Sequence, residues 1–250
     1  MNTSLLKSTC LIAVDLGNTR AKIAVFKEGG LSELIVMEDP DAEKFRALNL
    51  KRFAPAHAII SSVAGEERLF TEVLPEFSWL VLTHETPLPF LNLYLSPQTL
   101  GKDRIAGVAG AVGMFPGRNV LVIDMGTAIT YDFVNQTGEY TGGAISPGIT
   151  TRFRSLNTFT QRLPLIEPAE TDYLTGRTTE ESIRSGVMNG VRAEIDGIID
   201  EYRATCPGLK IILTGGDCFY FEKKLKNNIF AAPNLVLTGL KQILEHHLEK

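Results

Sequence analysis

A chain of 250 residues with 44% apolar and 22% charged side chains can form one large domain or two small ones, with a core that needs no disulfide or metal. Its formal net charge of −4 argues against a broad nucleic-acid-binding surface, while leaving room for a single nucleotide in a local pocket. No apolar run approaches the roughly 18 residues of a membrane helix, and Cys10, Cys206 and Cys218 show no metal spacing and read as thiols of a reducing cytoplasm. Lys7 before an apolar run gives the opening the look of a secretion signal, but Asp15 interrupts that run and no small-residue cleavage site follows.

Runs rich in Val and Ile that end at Gly, Asp or Ser predict buried strands over 11–15, 21–26, 58–62, 80–82, 120–124, 129–133 and 211–214. Between them, 103–115 reads as a small-residue helix (Ile105, Ala106, Ala109, Val112) that stops before Pro116-Gly117. A longer helix starts at Thr179 and runs to about Tyr202. Ile183, Val187, Val191, Ile195, Ile198 and Tyr202 give it one apolar stripe, and Thr178 with Glu181 forms a capping box. An amphipathic helix carrying Leu240, Ile243, Leu244 and Leu248 follows. Strands alternating with helices predict an α/β fold.

One pattern occurs twice. VDLGNTRAKIAVF, from Val14, is echoed by VIDMGTAITYDF, from Val122: an apolar strand, Asp, one apolar residue, Gly, small polar residues, then a second strand. Each copy alone could be an unrelated hairpin; the pair points to duplicated domains, 1–116 and 117–250, with a cleft between them.

The chemistry gathers at these turns. Asp15 ends an apolar strand, where a carboxylate is costly unless something pairs with it. Gly17 lets backbone approach a ligand, Asn18 and Thr19 can donate to phosphate oxygens, and Asp15 suits Mg²⁺, which keeps most of its waters and takes one or two carboxylates. Lys22 either adds positive charge near the phosphates or is a solvated strand-face lysine. Asp124, with Gly126, Thr127 and Thr130, offers a second oxygen-rich turn for phosphate or a cation. Gly215-Gly216-Asp217 follows a strand and leads into a helical pattern, where a nucleotide could lie against backbone. In the stretch Tyr94 to Arg104, Asp103 and Arg104 are either a helix-capping pair or a substrate site. In the second case Asp103 takes a proton from a hydroxyl and Arg104 grips a carboxylate. His57, His84, His246 and His247 have no motif partners and receive no catalytic role.

Taken in order, DLGNT, IISSV, Y-x-x-P, LGKDR, DMGTAIT, GGAISPGI, GRTTEESIRSG and LTGGD resemble the motif series of type III pantothenate kinases. That family lies in the superfamily of acetate kinase, sugar kinases, heat-shock ATPases and actin. The chain departs from the pattern at Lys102, where alanine is usual, at Ser96, at Thr178, and after Ser62-Val63, where a proline is missing.

The resemblance implies two duplicated actin-like (ribonuclease H-like) domains around a nucleotide cleft. It also implies transfer of the ATP γ-phosphoryl to pantothenate, giving 4′-phosphopantothenate, the first step towards coenzyme A. Asp103 becomes the catalytic base, and Asp15 the anchor for Mg²⁺ or another divalent cation. Gly17, Asn18, Thr19, Lys22, Thr127, Gly215 and Gly216 lie near ATP, and Asp124 takes K⁺ or NH₄⁺. Tyr94, Gly101, Lys102, Asp103 and Arg104 contact pantothenate, joined by Thr179 from the partner of a homodimer. Neither nucleic acid nor membrane is an expected partner. The stripe on the long helix then either forms the two-fold interface or packs inside its own domain. The competing readings are a superfamily kinase for another small hydroxy acid or sugar, and a non-catalytic ATP-sensing regulator. The latter has no need of Asp103, Arg104 and Asp124 together.

Overall fold

The computed structural model describes residues 10–17, 20–53, 57–62, 65 and 67–250; Asn18, Thr19 and Val63 lie outside the described residues. In chain order the strands are β1 (Leu11–Leu16), β2 (Arg20–Lys27), β3 (Gly30–Glu38), β4 (His57–Ser62), β5 (Ser78–Val81) and β6 (Leu91–Asn92). They continue with β7 (Val120–Met125), β8 (Ala128–Val134), β9 (Glu139–Pro147), β10 (Lys210–Thr214) and β11 (Phe230–Ala231). The helices are α1 (Ala42–Ala47), α2 (Glu67–Thr71), α3 (Lys102–Met114), α4 (Ile149–Phe159), α5 (Thr179–Thr205) and α6 (Leu235–Glu249). They divide into two units: residues 1–116, 138–140 and 235–250 form the first, and 117–137 with 141–234 the second.

In the first unit the sheet order is β3-β2-β1-β4-β5. Central β1 runs antiparallel to β2 and parallel to β4, so it is buried on both faces and its sequence is continuously apolar rather than alternating. Ile12, Val14, Ile23, Val25 and Ile60 pack with Phe45 of α1 and Phe70 of α2, whose rings meet edge-on with centroids 5.0 Å apart. β3 is an edge strand that the sequence reading does not anticipate. It leaves Leu31, Leu34 and Val36 exposed, and its turn uses Glu28 and Gly29 at positive φ instead of Asn-Gly.

Helices α3 and α6 cross at backbone contact. A Cβ on Gly239 would collide with the carbonyl oxygen of Ala106, and one on Gly110 would lie 2.7 Å from the Leu235 carbonyl oxygen. The small residues that mark α3 in the sequence exist for this crossing. Residues 235–250, grouped by the sequence reading with the second half, thus belong to the first unit, and their helix begins at Leu235, earlier than the Leu240 pattern suggests.

In the second unit β7 has antiparallel β8 on one side and parallel β10 on the other, repeating the neighbours of β1. In both polar turns the glycine amide closes the loop: Gly17 N–H donates to Arg20 O, three residues on, at 2.8 Å, and Gly126 N–H to Ala128 O, two residues on, at 2.9 Å. The sequence echo is therefore an echo of topology. β9 starts in the first unit, where Glu139 and Tyr140 pair with β6.

The N-cap Thr178 accepts the amide of Glu181, but the Glu181 carboxylate takes the amide of Arg177 at 2.6 Å, so the capping box closes one residue early. Ile183, Val187, Val191, Ile195 and Ile199 of α5 are buried against Leu121, Ile123, Ile211 and Leu213. The stripe is thus consumed in its own unit, with Ile198 and Tyr202 on its flank. The residues α5 leaves exposed include Gly186, Gly190, Ala193 and Gly197.

Candidate active site

Strand register builds the first cluster. Asp15 on β1 stands opposite Lys22 of β2 and Ser61 of β4, and the Ser61 hydroxyl donates to its carboxylate at 2.9 Å. Burial raises the Asp15 pKa above the ordinary carboxylate range. The Ser61 hydrogen bond and Lys22 oppose that rise, and the charge of Asp103 adds to it. Gly17 closes the turn beyond; a Cβ there would sit 3.1 Å from the Arg20 carbonyl oxygen.

A carboxyl whose pKa is raised on folding binds its proton more tightly folded than unfolded. Its contribution to stability is therefore lost as pH rises from the ordinary carboxylate range through the raised value. At neutral pH the charge on Asp15 costs stability. In metal-free buffer Asp15→Asn is expected to melt at a higher temperature than the parent at neutral pH, with the gap closing on acidification. A variant that melts lower at neutral pH would show that Asp15 is not a desolvated charge.

Of the two roles that the sequence leaves open for Asp103 and Arg104, the helix-capping one is built by Asp103. Gly101 caps α3 without a side-chain bond, and Asp103, two residues on, accepts the Arg104 amide at 2.9 Å, satisfying one free N–H of the first turn. The Arg104 side chain is buried with its guanidinium 5.7 Å from the centre of the Tyr94 ring. Tyr94 stacks in turn on fully buried Tyr140, 6.2 Å between centroids at 18°. Tyr140 is a support the sequence reading misses, because it lies 46 residues beyond Tyr94. Lys102 is committed elsewhere: its ammonium pairs with Glu67.

In the second unit Asp124 stands opposite Thr130 and Thr214. Gly215 (φ +91°) lies so close that a Cβ would be 2.5 Å from an Asp124 carboxylate oxygen, and the Asp217 amide donates to Met125 O at 3.0 Å. The Gly-Gly turn and Asp124 are thus stitched together, with open space above Gly216. The helix expected after this turn is a single 3₁₀ turn, Cys218–Tyr220, too short to carry a useful dipole. Exposed Thr127 is pinned through its carbonyl by the Gly148 amide (3.0 Å) and the Thr151 hydroxyl (2.7 Å).

Thr179, the exposed first residue of α5, lines a groove of about 710 Å³ with Arg152, Ser155, Leu156, Leu163 and Ile183 among others. Beside it Arg152 donates to the carbonyl of Pro147 (2.8 Å), the Ser146 hydroxyl (2.6 Å) and Glu194 (2.5 Å), while Tyr131 donates to Glu194 at 2.9 Å. Burial works against the charge of Glu194, yet the bonds from Ser146, Arg152 and Tyr131 outweigh it and hold the carboxyl below the usual range. Burial, with the bond to Glu194, raises the Tyr131 pKa. Sequence reasoning has no signal for this network, since Tyr131 and Glu194 are 63 residues apart.

A model of the family described as type III pantothenate kinase matches residues 11–201. A curated type III pantothenate kinase from Christiangramia forsetii is 46% identical over 94% of this chain and 97% of its own. Among solved structures, a conserved putative Baf family transcriptional activator from Campylobacter jejuni superposes with a TM-score of 0.65 at 20% identity, covering 96% of this chain and 100% of that one. An inorganic polyphosphate/ATP-glucomannokinase from Arthrobacter sp. gives 0.52 at 16% identity, covering 97% and 100%. At these identities the structures speak for the fold alone, which is the two-domain actin-like α/β fold of sugar kinases and related ATPases.

Proposed function

The chain belongs to the type III pantothenate kinase family and uses ATP to phosphorylate pantothenate for coenzyme A synthesis, and we propose that Asp103 is the base of that reaction. The observation that carries this role is its placement: a carboxylate at a helix start, one residue from a buried arginine and electrostatically coupled to Asp15. Phosphoryl transfer asks little covalent chemistry of a protein and much positioning and charge neutralisation. A carboxylate is a far weaker base than the alkoxide left by an ionised alcohol. Asp103 therefore orients the pantothenate hydroxyl and accepts its proton late in the transfer. Arg104, seated on Tyr94, grips the pantothenate carboxylate, and Gly101 leaves the approach open.

Asp15, with Lys22, Asn18 and Thr19, serves the phosphates. Its desolvated carboxylate and the Ser61 hydroxyl form a hard oxygen donor set that fits Mg²⁺, which when bound neutralises charge on the transferring phosphoryl. Asp124, with the hydroxyls of Thr130 and Thr214 in register, offers oxygen donors that fit K⁺ or NH₄⁺. Thr127, Gly215 and Gly216 complete the nucleotide contacts. The protein works in the cytoplasm as a homodimer in which Thr179 reaches the partner's pantothenate site. The small residues exposed on α5, Gly186, Gly190, Ala193 and Gly197, support close approach of a second helix. The apolar stripe of α5 does not contribute to that argument, being buried in its own core.

A coupled assay of ADP release tests the reading as a whole. Release is expected to require pantothenate and Mg²⁺ and to fall by about tenfold or more when K⁺ is replaced by Na⁺, a loss of some 1.4 kcal/mol of transition-state stabilisation. ADP release that ignores pantothenate would overturn the substrate, and equal rates in K⁺ and Na⁺ would remove the role given to Asp124.

A further inference from the structure

Lys102 is the first residue of α3, a position where the helix dipole disfavours a cation. Its ammonium lies 2.5 Å from Glu67 Oε1, on the first residue of α2. The Glu67 side chain is only 11% exposed and that of Lys102 27%, so water screens this pair far less than a surface one. Burial opposes the charge on Glu67, while the hydrogen bond from Lys102 and its own backbone amide hold the carboxyl below the ordinary range. A pair set this deep is costly to break from either side. Nothing in the local preferences of α3 asks for a lysine there; the reason is tertiary.

The pair joins α3, which carries Asp103, to the segment after β4, whose Ser61 bonds Asp15. Helix α2 follows the end of β4, where Ser61 holds Asp15 and the Ser62 hydroxyl accepts the Gly65 amide at 3.1 Å. Helix α3 carries Asp103 and Arg104 immediately after Lys102. The charge of Asp103 bears on Asp15, so the distance between α3 and β1 matters to both carboxylates. We infer that the Lys102–Glu67 ion pair is a latch that fixes the placement of Asp103 relative to Asp15, making Lys102 and Glu67 positioning residues for phosphoryl transfer. Lys102 then acts through Asp103 rather than by touching pantothenate. The inference rests on the roles proposed above for Asp15 and Asp103.

The test is a cycle on the full-length protein with Lys102→Met, Glu67→Gln, the double variant and Lys102→Arg, each checked for folding by its melting curve. Either single variant is expected to lower kcat about tenfold, because small misplacement at a reacting centre is costly. KM for pantothenate should move by less than about threefold, since Arg104 and Tyr94 are untouched. The double variant should be no slower than the worse single one, because both remove the same contact. Lys102→Arg, which keeps the pair, should retain kcat within about twofold. Multiplying losses in the double variant would overturn the latch, as would an unchanged kcat in the single variants with only a lowered melting point. So would a Lys102→Arg variant as slow as Lys102→Met. Asp103→Asn, run alongside, separates two failures. If it keeps its turnover, the base assignment falls and takes the latch with it; if it is inactive while Lys102→Met is unimpaired, only the latch falls.

Discussion

Asp103→Asn is expected to lower kcat by about a thousandfold, within the range ascribed to a positioned general base, while leaving the fold and KM for pantothenate nearly unchanged. The amide oxygen of asparagine can still accept the Arg104 N–H, so the first turn of α3 keeps its bond. The Arg104 guanidinium keeps its seat on Tyr94, and Tyr94 its stack on Tyr140. What the variant loses is the proton acceptor of the proposed mechanism and one negative charge acting on Asp15. Removing that charge lowers the Asp15 pKa towards its ordinary value, which at neutral pH adds slightly to stability. Steady-state kinetics and a melting curve on the same preparation check both halves. Turnover within about tenfold of the parent would rule out Asp103 as the base.

Gly239→Ala is expected to destabilise the protein by about 3 kcal/mol or more, the upper range of core overpacking. In a chain of this size that corresponds to a fall of roughly 6 to 12 °C in Tm. Helix propensity argues the opposite sign, since alanine is better than glycine inside a helix by about 1 kcal/mol. Packing wins because the added methyl would meet backbone: the Ala106 carbonyl, and the Gly110 amide nitrogen at 2.8 Å. Neither atom can move without shifting α3. Thermal or urea unfolding decides between the two, and a variant as stable as the parent would show that α3 and α6 do not touch where the structure puts them.

The elements legible in the sequence are those whose burial or punctuation is strong. β1, β2, β4, β7, β8 and β10 fall within one or two residues of their expected limits because they are buried runs closed by Asp, Gly or Ser. α3 and α5 announce themselves by Pro116-Gly117 and by the cap at Thr178. α4 escapes notice because Ile149 and Phe153 are its buried residues, too few to set a period. β3 escapes because an exposed edge strand does not alternate cleanly. At the site, motif spacing singles out Asp15, Asp103, Asp124 and the glycines of their turns. Tyr140 under Tyr94, Glu67 at Lys102 and Glu194 at Arg152 and Tyr131 are invisible to it, because the fold brings them in from distant sequence.

The place of α6 in the first unit has a consequence for how the protein is made. Domains usually fold as units in the order of their synthesis, amino-terminal first. Here the ribosome delivers residues 117–234, with every element of the second unit, before Leu235–Glu249 exists to cover α3 and β1. The unit that starts first is finished last. Until then the nascent chain carries an open seam along Ala106 and Gly110, and a translation stop before residue 235 would release a protein whose second unit can close and whose first cannot.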